Sequence, residues 1–193
     1  MRGFGRIHQL ALFFILFILP INSYPDTFTL GPGIGIEKIN DTFTVDLSII
    51  KGLYRFDNGI TAGGVAMFGN VNFQKVADEK RYEAIIGYTT VLQNIRISPY
   101  AFISQGLRAY SSSEPSVNYH TMTIGSKYNI TETFYLDSSY RYRNTNDIDW
   151  ESNTYSIGIG KSISNKLSIQ ANFGTTWGDY NGTQYTLVLL RRF

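Results

Sequence analysis

Ten segments in which apolar and polar residues alternate with period two constrain the fold of this chain more than any other feature. Such alternation is typical of a β-strand with one apolar and one polar face, and no stretch of useful length follows the helical period of 3.6 residues. The segments span residues 27–38, 42–56, 60–74, 81–92, 97–110, 117–128, 133–143, 153–163, 166–178 and 183–193. The sequence therefore predicts an all-β protein of about ten strands, or eight if the weaker segments merge.

Alternation alone does not separate a soluble β-sandwich from a membrane barrel, so the connections and the aromatic residues decide between them. Short linkers such as 57–59 and 164–165 alternate with longer or more charged ones such as 75–80 and 144–151. Short periplasmic turns and longer external loops produce this rhythm in transmembrane barrels. We therefore predict an antiparallel, up-and-down transmembrane β-barrel.

Aromatic residues on the apolar faces fall at two levels, as expected for two membrane interfaces. If the first strand runs outward, one group lies near the outer rim and the other near the inner rim. The predicted outer group is Tyr82, Tyr142, Tyr155, Trp177 and Tyr185. The predicted inner group is Phe28, Tyr128, Phe134 and Phe193.

The N-terminal segment predicts export. Residues 1–23 combine a basic start at Arg2 and Arg6 with an apolar run of about ten residues, which is typical of a cleaved signal peptide and short of the roughly 20 residues of a membrane helix. Residues 24–193 then form the outer-membrane barrel domain. Without Arg2 and Arg6 the bases fall from 17 to 15 and balance 15 acids, which disfavours a nucleic-acid partner. The absence of cysteine excludes a disulfide framework.

The chain ends on a strand whose outward series is Tyr185, Leu187, Leu189, Arg191 and Phe193. Here it resembles single-chain bacterial outer-membrane barrels, in which a final alternating strand with a C-terminal aromatic is the usual signal for the assembly machinery. The run 51–56 with the following hairpin is similar to the OmpX, Ail and opacity group. The resemblance implies outer-membrane lipid and the β-barrel assembly machinery as partners, with Phe193 as the assembly signal.

The inward phase predicts a charge network in a narrow lumen. Barrels near eight strands are just wide enough for side chains to fill, and glycines opposite large rings on this phase suggest a largely packed interior. The predicted network comprises Glu37, Asp46, Glu83, Arg108, Lys127, Asp137, Arg141, Arg143 and Arg192. Because buried charges must be paired, we expect Glu83 to lie near Arg108 and Lys127 near Asp137.

Three function classes remain open. The packed lumen favours a structural or surface-interaction barrel whose external loops meet a surface ligand, and the charges inside favour a narrow channel for small solutes. A lipid- or peptide-modifying enzyme is the third class, but the mature chain's one histidine, His120, has an outward phase, and Met122 stands where a nucleophilic serine would be needed. No cofactor motif, metal-ligand set or catalytic constellation is recognisable.

Overall fold

The computed structural model describes residues 26–40, 43–72, 77–92, 95–111, 116–145 and 150–193. The predicted signal peptide lies outside these residues. Among them, no helix is long and apolar enough to cross a membrane. The strands are β1 (Thr27–Ile39), β2 (Phe43–Arg55), β3 (Ile60–Asn72), β4 (Ala77–Thr89), β5 (Ile97–Tyr110), β6 (Val117–Asn129), β7 (Phe134–Thr145), β8 (Glu151–Ser162), β9 (Leu167–Gly178) and β10 (Gly182–Arg192).

The ten strands form one closed sheet in which each strand pairs antiparallel with its neighbours in sequence. The first and last strands close the barrel, with β1 and β10 in register from Thr29 opposite Arg192 to Ile39 opposite Gly182. This confirms the predicted up-and-down antiparallel barrel with ten strands, so the merging of segments into eight is wrong. Closure also removes the exposed sheet edges that a two-sheet sandwich would keep.

The two ends of the barrel differ less than the sequence suggested. We call the end that holds both Thr27 and Arg192 the terminal end and the opposite one the distal end. Connections between strands span four to seven residues at the terminal end (56–59, 90–96, 130–133, 163–166) and three to six at the distal end (40–42, 73–76, 111–116, 146–150, 179–181). The predicted alternation of short turns and long loops is therefore wrong, because the strands extend into segments that charge alone had assigned to loops.

Apolar side chains cover the outside of the barrel. Ile34 is 64% exposed, Ile86 53% and Ile50 52%, and the outward residues of β8 and β10 are similarly exposed. So many exposed large apolar side chains are unfavourable in water and match the lipid-facing band of a transmembrane barrel. Within the barrel, Val45, Leu47 and Ile49 form a small apolar cluster with side chains of β3.

Asp46 of β2 faces the opposite way from the sequence-based assignment. It was expected inside the barrel but points outward. The buried neighbours of Asp46 fix this phase, since Val45 is 0% and Leu47 3% exposed. Asp46 and Ser48 lie on the exposed face, and the apolar cluster lies inside. This part of β2 therefore alternates, but its apolar face is turned towards the interior and not towards lipid.

Large rings inside the barrel lie directly opposite glycines on the neighbouring strand. Tyr100 faces Gly125 and Tyr119 faces Gly106 across β5 and β6, and Tyr135 faces Gly160 across β7 and β8. A Cβ added at any of these three glycines would collide with the facing ring. The rings therefore lie flat against the barrel wall, which is how a narrow barrel accommodates large aromatic side chains.

Candidate functional site

A layer of buried ion pairs crosses the distal half of the lumen. Arg81 donates hydrogen bonds to both Glu37 and Glu79, which joins β1 to β4 across the interior. Arg108 on β5 binds Glu79 through Nε at 2.6 Å from Oε1 and through Nη2 at 3.0 Å from Oε2. All four side chains are at most 9% exposed. We call these four residues the ionic layer.

Two members of the ionic layer, Glu79 and Arg81, are absent from the sequence-based network. The fourth strand was predicted to begin at residue 81, after a charged loop at 75–80, whereas β4 begins at Ala77. The alternation of β4 could have identified them, because Glu79, Arg81 and Glu83 are two residues apart and therefore lie on the same face of the strand. The expected pair between Glu83 and Arg108 is wrong for the same reason: Arg108 lies opposite Arg81 and is neutralised by Glu79.

A second charged group lies beside the ionic layer. Glu83 is 3.9 Å from Arg141 Nη1 and 4.0 Å from Arg143 Nη2, so one carboxylate lies between two guanidinium groups. Tyr119 donates a hydrogen bond to Glu83 at 2.9 Å, and the guanidinium of Arg143 lies 4.8 Å from the centre of the Tyr119 ring. Both Glu83 and Arg143 are nearly inaccessible.

A cavity of about 1170 Å³ occupies the lumen between these charges and the terminal end. Turn residues 131–133 and 163–166 line its mouth, so we call it the inner cavity and place its opening at the terminal end. Its basic lining residues are Lys51, Arg55, Arg96, Lys127, Arg141, Lys166 and Arg192. Its acidic lining residues are Glu83, Glu132 and Asp137. The lumen is therefore not packed along its whole length, because the side chains fill only the region of the ionic layer.

Several bases of the inner cavity have no acidic partner in direct contact. Lys51, Lys127 and Arg192 form no ion pair within 4.0 Å with any residue that the structure describes, and the charge of Asp137 acts on both Lys51 and Lys127 from farther away. Lys127 lies opposite Asp137 in the register of β6 and β7, but its ammonium stands over the Tyr135 ring at 3.5 Å. Asp137 instead accepts a hydrogen bond from Tyr100 at 2.8 Å. The expected ion pair between Lys127 and Asp137 is not formed, although the two residues are neighbours.

A smaller cavity of about 340 Å³ lies on the distal side of the charged groups, and we call it the outer cavity. Aromatic side chains form much of its wall, and Trp150 and Tyr180 pack against each other with ring centres 5.5 Å apart. Arg108 and Arg143 also reach its surface. The described lumen thus contains two cavities on either side of the ionic layer.

The predicted interface aromatics lie on the outer surface at two levels. Phe28, Tyr128, Phe134 and Phe193 lie within two residues of the strand ends at the terminal end, and the rings of Phe28 and Phe193 are 5.8 Å apart across the closing seam. The other group lies nearer the distal ends of its strands and comprises Tyr82, Tyr142, Tyr155, Trp177 and Tyr185. His120 also points outward, where its Nδ1 lies 2.8 Å from Gln105.

Comparisons with known proteins agree on the fold. The chain is similar to an outer membrane channel from Pseudomonas putida F1, with a TM-score of 0.58, 11% identity, and 91% of this chain and 97% of that chain covered. It is also similar to the beta domain of the Bordetella autotransporter BrkA, with a TM-score of 0.56, 9% identity, and 87% and 99% covered. No protein-family model and no curated protein matches the sequence.

The closed barrel and its apolar exterior define the architecture of a transmembrane β-barrel. The chain is a ten-stranded antiparallel barrel with the fold that this outer membrane channel and this autotransporter domain share. The suggested likeness to the OmpX, Ail and opacity group finds no support in these comparisons. Neither neighbour is named as an enzyme.

Proposed function

We propose that this protein is a narrow channel for small anionic solutes, closed at the ionic layer in the conformation described. The observation that carries the proposal is the surplus of bases in the inner cavity, where seven basic side chains face three acidic ones. A low-dielectric wall lined by one sign of charge concentrates ions of the opposite sign. Anions entering from the terminal end would therefore be favoured over cations.

Unpaired bases support a role in solute passage over a purely structural one. A lumen that served only to fill the barrel would pair its charges, because an isolated buried charge is costly. Lys51 and Lys127 line the inner cavity, and neither has a carboxylate within 4.0 Å among the described residues. Mobile anions are the natural counter-ions for such groups.

The ionic layer would act as the constriction of this channel. Glu79 is 1% exposed and Arg81 3%, so side chains fill the lumen at this level. Opening requires Arg81 to leave Glu37 or Glu79, and the neighbouring guanidinium of Arg108 supplies an alternative partner for Glu79. If the ion pairs of the ionic layer exchange partners, the channel can open while the strands of the barrel stay paired.

We infer two further partners from the outer surface. The exposed apolar side chains would contact outer-membrane lipid, and Phe193 would be the residue that the assembly machinery recognises. With β1 running outward, the terminal end faces the periplasm and the inner cavity opens to it. A structural or surface-interaction barrel is the alternative function, but it depends on distal loops that span only three to six residues.

Channel activity is tested with protein purified from outer membranes and inserted into planar bilayers. Under a KCl gradient we expect single-channel openings whose reversal potential shows preference for chloride. In the variant Lys51→Glu with Lys127→Glu, the preference should shift towards potassium, because two positive charges of the inner cavity become negative. The matched control is Lys38→Glu, an exposed residue of β1 that points outward.

Two outcomes would contradict the channel proposal. An inserted barrel that never conducts at any voltage the bilayer tolerates would leave the structural or surface-interaction role. A conducting barrel that prefers potassium, or whose selectivity shifts equally in Lys38→Glu, would show that the inner cavity does not select the ion. Insertion itself is verified by the altered gel mobility of a folded barrel before heating.

A further inference from the structure

We propose that the outer cavity is a binding site for a small planar anion, a carboxylate attached to an aromatic or similarly flat apolar body. The site lies on the opposite side of the ionic layer from the inner cavity and does not depend on conduction. A barrel that never opens would still bind the ligand. The inference therefore goes beyond the proposed channel function.

Arg143 has no close carboxylate partner among the described residues. Glu37 and Glu79 are bound directly by Arg81 and Arg108. Glu83 lies at the limit of ion-pair distance from Arg143 and is shared with Arg141. Glu151 also lines the outer cavity, but it accepts a hydrogen bond from Asn144 and forms no ion pair with Arg143 within 4.0 Å. The guanidinium of Arg143 can therefore take a close anionic partner at the outer cavity.

The hydrogen bonds of Arg143 also leave this guanidinium incompletely satisfied. Its Nη1 donates to the Tyr180 hydroxyl at 3.2 Å, and its Nη2 lies 4.0 Å from Glu83. Its Nε is buried and has no hydrogen-bond partner among the described residues. A buried guanidinium whose donors are incompletely satisfied is costly, and a ligand carboxylate that meets Arg143 where this residue lines the outer cavity would form a strong, charge-assisted hydrogen bond.

The wall of the outer cavity selects the body of the ligand. Trp150, Tyr180, Tyr119 and Tyr110 line the cavity, and rings of this kind bind a flat apolar group by offset or tilted stacking. The guanidinium of Arg108 lies 5.2 Å from the centre of the Tyr110 ring, so the floor is cationic where the walls are aromatic. A volume of about 340 Å³ accommodates a ligand of one ring with its carboxylate.

The backbone holds Trp150 in place for this role. The amide and hydroxyl of Thr145 both donate hydrogen bonds to the Trp150 carbonyl, at 3.0 and 3.3 Å. The next residue, Glu151, donates its amide to Asp179 at 2.5 Å and accepts one from the Asp179 amide at 3.0 Å. The Trp150 backbone is therefore held between β7 and the connection after β9, and its indole packs against the Tyr180 ring, which preorganises the aromatic wall.

Trp150 also allows a fluorescence assay of binding, because the chain has only two tryptophans and the other one can be replaced. In the variant Trp177→Phe, which changes an outward-facing residue of β9, the remaining indole fluorescence reports on the outer cavity. The probe is benzoate, titrated into the full barrel in phospholipid vesicles with excitation at the red edge of tryptophan absorption. Benzyl alcohol supplies the ring without the charge, and acetate supplies the charge without the ring.

We expect saturable quenching by benzoate, with benzyl alcohol and acetate each bound at least about tenfold more weakly. In the same background, Arg143→Gln should abolish the preference for benzoate over benzyl alcohol. Val117→Phe fills part of the cavity at its lining without touching the charges, and it should weaken benzoate if Arg143→Gln fails to fold. Lys127→Gln removes a base of the inner cavity and should leave the affinity for benzoate unchanged.

Three results would overturn the proposal. Equal affinity for benzoate and benzyl alcohol would indicate partitioning into lipid or an apolar crevice. Retained preference for benzoate in Arg143→Gln, or unchanged affinity for benzoate in Val117→Phe, would place the anion elsewhere. Loss of benzoate binding in Lys127→Gln would assign the signal to the inner cavity, which belongs to the channel proposal. Because these results come from fluorescence and not from ionic current, they stay valid if the barrel conducts no current in the bilayer experiment.

Discussion

Removing Arg81 tests whether the ionic layer is a packed structural element or a set of hydrated charges. Arg81 is the only described base that pairs with Glu37, and it shares Glu79 with Arg108. In Arg81→Met the aliphatic stem is kept and the guanidinium is lost. Glu79 would retain Arg108 at 2.6 Å, while Glu37 would be left without an ion-pair partner.

The expected loss follows from this inventory. Two buried ion pairs are broken, and one buried carboxylate is left without a partner, which typically costs about 3–5 kcal/mol of the free energy of unfolding. The Glu37 side chain is 7% exposed, so water replaces the guanidinium poorly. Combining Arg81→Met with Glu37→Gln removes the stranded charge, and we expect the double variant to recover at least half of the loss.

The measurement is urea unfolding of the barrel in phospholipid vesicles, monitored by tryptophan fluorescence and extrapolated to zero denaturant. The control Lys38→Met changes an exposed base adjacent in sequence to Glu37 and should leave the midpoint unchanged. A loss below about 1 kcal/mol in Arg81→Met would refute the argument, since the layer would then be as weakly coupled as surface ion pairs. So would a double variant no more stable than the single one.

Two further predictions concern the seam and the chain end. Gly31→Ala should destabilise the barrel by about 1–3 kcal/mol in the same urea assay, because its Cβ would collide with the Leu189 backbone across the seam. Gly52→Ala, whose Cβ would first meet Leu30 at 3.5 Å, is the matched control and should change little. Phe193→Ala should lower the amount of protein reaching the outer membrane several-fold, by immunoblot of fractions, while unaided refolding into vesicles stays within twofold. Equal losses in both assays, or an equal loss in Phe134→Ala, would contradict the role of Phe193 as an assembly signal.

Alternation in the last strands predicted this part of the barrel almost residue by residue. In β9 the polar residues Ser168, Gln170 and Asn172 face the lumen, and the intervening apolar ones face outward. The alternation in β9 is regular because lipid on the outer side favours apolar side chains, whereas water and polar groups in the lumen favour polar ones. Strand number and closure follow once every such segment is counted.

The alternation in β2 led to the wrong phase, because the apolar side chains of this strand face the interior. Asp46 was placed inside with the other charges, but it is the fourth residue of the strand and lies near the distal rim. Val45, Leu47 and Ile49 occupy the interior instead. A charge near a strand end carries little information on phase, since it reaches the interface from either face.

The pairing of charges in the lumen depends on the register between distant strands, which alternation does not reveal. Glu37 and Arg81 are 44 residues apart and meet across the interior, on strands that do not pair directly. Sequence reasoning considered adjacent strands and therefore paired Glu83 with Arg108. The size of the inner cavity was equally hidden, because it depends on how far the Tyr100 and Tyr135 rings lie against the wall.

The lumen is asymmetric along its axis, with paired, tightly held charges towards one mouth and an excess of basic side chains towards the other. An ion driven from the terminal end first meets an attractive well and then a barrier, whereas one driven from the distal end meets the barrier first. The energy profile is thus not a mirror image of itself, so currents at equal and opposite voltages need not be equal. A membrane in which all copies share one orientation would behave as a diode, passing anions more readily in one direction than in the other.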